Sequence, residues 1–134
     1  INQGTVRVES PPGILTVSGT TGVGTGILIR SNSSLEMLNG GLLVQNNMGS
    51  GIHMTDGSQL TMFPTSPQTV VIQNNSTGIF AYDSGVSGTG AITIKGNTAK
   101  DLNISFGSRV SLLTSYYDTI QCSQSLTSMG VSCQ

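Results

Sequence analysis

The chain has 134 residues, and only five Lys or Arg and six Asp or Glu, which give it a formal net charge of −1. This length fits one domain with a sizeable core, and the sparse charge excludes a basic nucleic-acid-binding surface and a charged tail. No apolar run approaches the roughly 18 residues of a membrane-spanning helix. Gly, Ser, Thr and Asn are abundant while Ala, Glu and Lys are scarce, a composition that favours short strands and tight turns.

Four segments begin alike and predict the first strand of successive repeats. Each has apolar residues at alternate positions, followed by a polar turn that twice has the sequence Gln-Asn-Asn. The equivalent positions are 27, 28 and 22 residues apart, and a fifth follows 26 residues later: Val17, Val44, Ile72, Ile94 and Ile120.

Two more apolar couplets follow each of these starts. The second couplets are Ile27/Ile29, Ile52/Met54, Ile79/Ala81 and Leu102/Ile104. Three of them lead, eight residues on, to Leu35/Met37, Leu60/Met62 and Val110/Leu112, whereas the repeat that starts at Val70 offers only Val86. Three short strands in about 25 residues describe one coil of a solenoid, because stacked coils bury a continuous core and pair their strands in parallel.

This pattern, over residues 5–120, resembles the right-handed parallel β-helix of the pectin-lyase-like superfamily and of many bacterial and phage surface proteins. The resemblance implies an all-β solenoid of about four to five coils. We expect a parallel β-helix domain over residues 1–120 and a C-terminal cap over residues 121–134. The alternative is an antiparallel β-sandwich with strands every 8–12 residues. A sandwich does not require matching turns 27–28 residues apart, so the repeats favour the solenoid.

The two cysteines, Cys122 and Cys133, lie near the C-terminus with ten residues between them. This spacing predicts a local disulfide that closes the cap, contributes roughly 3 kcal/mol and requires an oxidising compartment. Two unpaired thiols are the alternative. Together with the neutral composition, the disulfide predicts an extracellular protein or one on a cell or virion surface.

Asparagines recur just after the first strand of successive coils. Stacked Asn side chains can hydrogen-bond along the axis of a solenoid, and Asn also tolerates the left-handed backbone of a sharp corner. We therefore predict a structural Asn ladder that comprises Asn46, Asn47, Asn74, Asn75 and Asn97.

Residues that alternate with the inward positions point outward and stack in columns about 4.8 Å apart. On the second strands, these columns predict a glycan- or protein-binding patch of Arg30, His53, Phe80 and Tyr82. Scattered surface residues without a ligand are the alternative. On the first strands, the apolar Leu43 and Val71 predict a contact surface.

The sequence favours no catalytic site. Glycoside hydrolysis needs two carboxyl groups about 5–10 Å apart, whereas the six acids are dispersed over turns and faces. Asp56 and Asp83 come closest to a pair, but both are typical turn residues. His53 is the single histidine, so a multi-His zinc site is not predicted, and no Gly-x-Ser-x-Gly motif occurs. We expect no cofactor and no metal.

The segment that contains Val6 and Val8 has no recognisable cap. Its strand edge is therefore expected to pair with another copy, forming a homo-oligomer or filament. The alternative is that the chain is cut from a longer solenoid. We expect a non-enzymatic module for surface attachment or assembly, such as an adhesin, a phage tail-spike or fibre, or a filament subunit. The alternative is a fragment of a carbohydrate-active β-helix enzyme, a polysaccharide lyase or glycoside hydrolase. Ice binding ranks lower, because Leu43 and Val71 interrupt the Thr column.

Overall fold

The computed structural model describes residues 1–9, 13–117, 120–123 and 126–127, with side chains described up to residue 113. These residues form an all-β parallel solenoid of about four turns, and no helix occurs among them. Every pairing between the named strands is parallel, so the predicted solenoid is confirmed and the antiparallel sandwich is wrong.

Each coil contributes one strand to each of three faces. The first face consists of β2 (Ile14–Ser18), β5 (Gly41–Gln45), β8 (Val70–Gln73) and the C-terminal part of β10 (Gly85–Lys95). The second face consists of β3 (Ile27–Ile29), β6 (Ser50–Met54), β9 (Thr77–Tyr82), β11 (Lys100–Ser105) and β13 (Ile120–Ser123). The third face consists of β1 (Thr5–Glu9), β4 (Ser34–Leu38), β7 (Gln59–Phe63), the N-terminal part of β10, β12 (Arg109–Tyr117) and β14 (Leu126–Thr127). β12 also continues onto the first face beside β10.

The core consists of stacked columns of apolar side chains. On the first face Val17 pairs with Val44, Val44 with Ile72 and Ile72 with Ile94, and the last three are fully buried. Alternate residues such as Leu43 and Val71 point outward and are half-buried. The observed alternation follows from the two-residue period of a strand, which places successive side chains on opposite sides of the sheet.

The unequal repeat lengths arise at the corners. The longest repeat contains the Pro64–Pro67 loop between β7 and β8, where missing N–H donors leave no ladder bond unmade. The shortest repeat has a reduced turn between β9 and β10, and β10 then runs from the third face directly onto the first. Val86 nevertheless pairs with both Leu60 and Val110, so the core register is kept.

The C-terminal segment contains one more described rung. β13 pairs in parallel with β11 on the second face. The predicted disulfide lies outside the described residues, because Cys133 and the side chain of Cys122 are not among them.

Candidate binding surface

The first corner, between the first and second faces, encloses a ladder of three asparagines. The backbone N and Nδ2 of Asn47 donate to Oδ1 of Asn75 at 3.1 and 2.9 Å, and the same two groups of Asn75 donate to Oδ1 of Asn97 at 3.0 Å each. Thr20 donates to Asn47 at one end, and Asn97 donates to Oδ1 of the buried Asp101 at the other. Because these amides are buried and hydrogen-bonded to one another inside the corner, this column stabilises the coil.

The ladder fits only because small residues face it. A Cβ added at Gly51 would lie 2.8 Å from Nδ2 of Asn75, and one at Gly78 would lie 2.8 Å from Nδ2 of Asn97 and 2.5 Å from the Asp101 carbonyl oxygen. The backbone of the second face therefore approaches the asparagine amides closely, as only glycine permits.

The predicted Asn46 and Asn74 lie beside this ladder. Both are exposed and have left-handed backbones, with φ of 57° and 54°, and Gly96 with φ of 66° takes their place in the next coil. Asn is the non-glycine residue that most readily adopts this conformation, so these positions turn the chain at the corner.

The second corner, between the second and third faces, contains a serine column that sequence reasoning missed. Ser33, Ser58, Ser84 and Ser108 are buried, and each hydroxyl donates to a carbonyl oxygen two or three residues earlier, at 2.6–2.8 Å. Serine is so abundant here that the column gave no composition signal. The available signal was its position, directly after a turn and before the first residue of the third strand.

The outward surface of the second face collects apolar and aromatic side chains. Leu28, His53 and Phe80 occupy one column, in register on β3, β6 and β9. The rings of His53 and Phe80 meet edge-to-face, with their centroids 4.7 Å apart. Burial beside Phe80 lowers the pKa of His53, which favours the neutral imidazole.

A second aromatic pair continues this surface toward the second corner. Tyr82, at the end of β9, stacks on Phe106 with ring centroids 5.0 Å apart and an interplanar angle of 26°. Phe106 was not predicted, because it lies in the turn after β11 rather than in the period-two pattern of the strand. We call Leu28, His53, Phe80, Tyr82 and Phe106 the aromatic face.

The fourth residue of the predicted patch lies at its edge. Arg30 is exposed and forms a parallel bridge with Asn2, one rung before Thr55 and two before Tyr82. At about 4.8 Å per rung, its backbone is roughly 10 Å from that of Tyr82, so Arg30 borders the aromatic face rather than stacking in it.

The predicted interface residues lie in two separate places. Leu43 and Val71 are adjacent and outward on the first face. Val6 is 41% exposed and Val8 packs partly against the core on β1, whose described partner is β4 on one side only.

The two aspartates closest to a catalytic pair both lie in turns of the second corner. Asp56 and Asp83 have left-handed backbones, with φ of 58° and 47°, and Oδ2 of Asp56 accepts a hydrogen bond from the hydroxyl of Thr55 at 3.0 Å. In the described ranges, no group of three His, Cys, Asp or Glu side chains could hold a metal ion. The same residues include no helix long and apolar enough to cross a membrane.

Comparison with protein-family models, with curated proteins and with solved structures gives no significant match. The functional inference therefore depends on the geometry of the surface itself.

Proposed function

We propose that this chain is a non-enzymatic, extracellular β-helix module that attaches to a surface through its aromatic face. The observation that carries this proposal is the presence of two aromatic pairs, His53–Phe80 on the outside of the second face and Tyr82–Phe106 at its edge toward the second corner. His53 and Phe80 lie on strands that are paired on both sides, so little conformational entropy is lost there when a ligand binds.

The chemistry of this face suits a glycan or the apolar part of another protein. Aromatic rings offer flat apolar faces with polar edges, and the flanking residues Thr55, Asn103 and Ser105 add hydroxyl and amide groups. Leu28, Tyr82 and Phe106 are each about 40–55% exposed, so the face has contact area available. We therefore propose an attachment module of the kind found in adhesins or in phage tail-spikes and fibres.

The finer features of the fold belong to the same proposal. We assign the solenoid to the right-handed pectin-lyase-like type, because connections between parallel strands of one sheet are right-handed in about 98% of cases. We also propose a disulfide between Cys122 and Cys133, which would be consistent with an extracellular location.

Assembly is the second part of the proposed function, and the open edges of β1 and β2 favour it. Among the described residues, β1 and β2 each pair on one side only, and Val6 and Ile14 on these strands are 41% and 61% exposed. Parallel pairing with another copy would satisfy the backbone groups and bury these side chains. Light scattering at high protein concentration tests this part. The unmodified chain should form oligomers, and the Val6→Lys/Val8→Lys variant should be monomeric. A monomeric unmodified chain would contradict the proposal.

The attachment test uses an array of immobilised bacterial and eukaryotic glycans, probed with the labelled protein. The Phe80→Ser/Tyr82→Ser variant should lose binding while its circular-dichroism spectrum stays unchanged. The matched control is Leu43→Ser/Val71→Ser, which removes two outward apolar side chains from the first face. Binding that survives in the first variant, or disappears only in the control, would contradict the proposed face.

A reducing-sugar assay on the bound glycans distinguishes attachment from the enzymatic alternative. The proposal predicts binding without release of reducing ends. Release by the wild-type chain would assign it to the carbohydrate-active enzymes instead, with Asp56 and Asp83 as the first residues to replace.

A further inference from the structure

A notch at the second corner joins the aromatic face to the third face. It has a volume of about 370 Å³ and is lined mainly by Gly57, Gln59, Asp83, Gly85, Gly107 and Arg109. The notch exists because glycine occupies the middle of the outward column Gln59–Gly85–Arg109. The exposed side-chain amide of Gln59 lies over Gly85, where an added Cβ would displace it.

Two opposite charges border the notch without neutralising each other. An Oδ1 atom of Asp83 lies over Gly107, where an added Cβ would be 3.4 Å from it. Asp83 and Arg109 are both exposed, and neither forms an ion pair with any residue that the structure describes. A carboxylate accepts hydrogen bonds and a guanidinium donates them, so the notch presents both functions to one ligand.

The two residues of the stacked pair Tyr82–Phe106 are chain neighbours of two residues that line the notch. Tyr82 directly precedes Asp83, and Phe106 directly precedes Gly107. Phe106 has a φ of 46°, a left-handed backbone that is rare for a bulky aromatic residue. Asp56 and Asp83 have the same left-handed backbone at the equivalent corner of the two preceding coils, with φ of 58° and 47°. This conformation therefore turns the chain at the corner, where the Phe106 ring stacks on Tyr82.

We propose that the notch is the subsite for one neutral pyranose residue with vicinal hydroxyl groups. A pyranose has an apolar C–H face that can pack on the Tyr82–Phe106 pair and a hydroxyl edge that can bond Asp83 and Arg109. An acidic sugar is disfavoured, because Asp83 and Arg109 together give the notch no net positive charge to offset the desolvation of a sugar carboxylate. The inference rests on the proposed attachment function and names its ligand class.

The test is a titration of the ¹⁵N-labelled protein with millimolar methyl glycosides of neutral hexoses and of glucuronic acid, followed by amide NMR shifts. At least one neutral glycoside should shift the amides of Gly85 and Gly107, and methyl glucuronide should bind at least about tenfold more weakly. Asp83→Asn and Arg109→Gln should each weaken binding about tenfold or more, since a charge-assisted bond is lost. Asn retains the left-handed turn, so the first variant should fold.

Asp56→Asn is the matched control, one coil earlier in an equivalent turn but outside the notch lining. The proposed sugar subsite is contradicted if no neutral hexoside shifts the Gly85 and Gly107 amides. It is also contradicted if Asp56→Asn weakens binding as much as Asp83→Asn does. The two proposals can fail separately. If Phe80→Ser/Tyr82→Ser loses array binding but glycosides leave the Gly85 and Gly107 amides of the unmodified protein unshifted, the sugar subsite is rejected and the attachment function is retained. Array binding that survives in that variant, with unshifted amides, would reject both.

Discussion

The asparagine ladder of the first corner and the aromatic face of the second face are both columns of side chains that repeat once per coil. In the ladder, each amide of Asn47 and Asn75 is buried and bonds the next coil. On the aromatic face, the rings of His53 and Phe80 touch each other but remain partly open to solvent. A column whose polar groups are satisfied inside the protein stabilises it, whereas an outward column of large apolar groups has contacts left to make.

The largest expected effect on the free energy of unfolding comes from truncating an inward side chain. Ile72→Ala deletes a fully buried side chain between Val44 and Ile94 and should lower the free energy of unfolding by roughly 2–5 kcal/mol, because it leaves a cavity. Leu43→Ala, on the outward side of the neighbouring strand β5, should lower it by less than about 1 kcal/mol. Urea unfolding checks both, and equal destabilisation would show that the assigned register is incorrect.

The ladder itself provides the next largest effect. Asn75→Ala removes the acceptor for two donors of Asn47 and the donor to Asn97, so buried groups lose their partners and stability should fall by about 2–3 kcal/mol. The adjacent control is Asn74→Gly, which preserves the left-handed backbone of an exposed residue and should change stability by less than about 1 kcal/mol. If thermal unfolding finds the two variants alike, the division between ladder and corner residues is mistaken.

The smallest effect is a pH dependence of the aromatic face. Burial lowers the pKa of His53 in the folded protein below its unfolded value of 6.5. The unfolded chain therefore binds the proton more readily. The His53 contribution to stability is fully present above about pH 6.5 and is lost as the pH falls through the folded pKa. His53→Phe should remove this part of the pH profile measured by urea unfolding. A wild-type profile with the same slope as the variant would exclude His53 as its source.

Much of the fold was predictable because strand period and coil length leave independent marks in the sequence. The alternation around Val44 and Ile72 fixes which side chains face inward, and the repeated Gln-Asn-Asn turn aligns the coils. The sequence could not divide the roles within that turn, since either of two adjacent asparagines can enter a corner. The structure assigns the buried role to Asn75 and the turn role to Asn74, because only one of two successive side chains can point into the corner.

The candidate surface was predictable only where it lies on strands. His53, Phe80 and Tyr82 follow the period-two pattern, and two of these meet in the predicted column. Phe106 and the notch depend on turn residues, whose side-chain directions are set by left-handed backbones and not by a repeating period. Arg109 lies on a strand, but its role as a notch residue depends on its pairing with Gly85 in the preceding coil. The sequence does not reveal this pairing, because the shortened turn before Gly85 changes the spacing between the two coils.

The most direct measurement compares two neighbouring residues of β9, Ile79 and Phe80, which point to opposite sides of the second face. Phe80→Ala should lose binding to the glycan array while its urea midpoint stays close to that of the wild type. Ile79→Ala should lower the midpoint and still bind at temperatures where it is folded. Retained binding by Phe80→Ala, or loss of binding by folded Ile79→Ala, would contradict the assignment of inward columns to stability and outward aromatic columns to attachment.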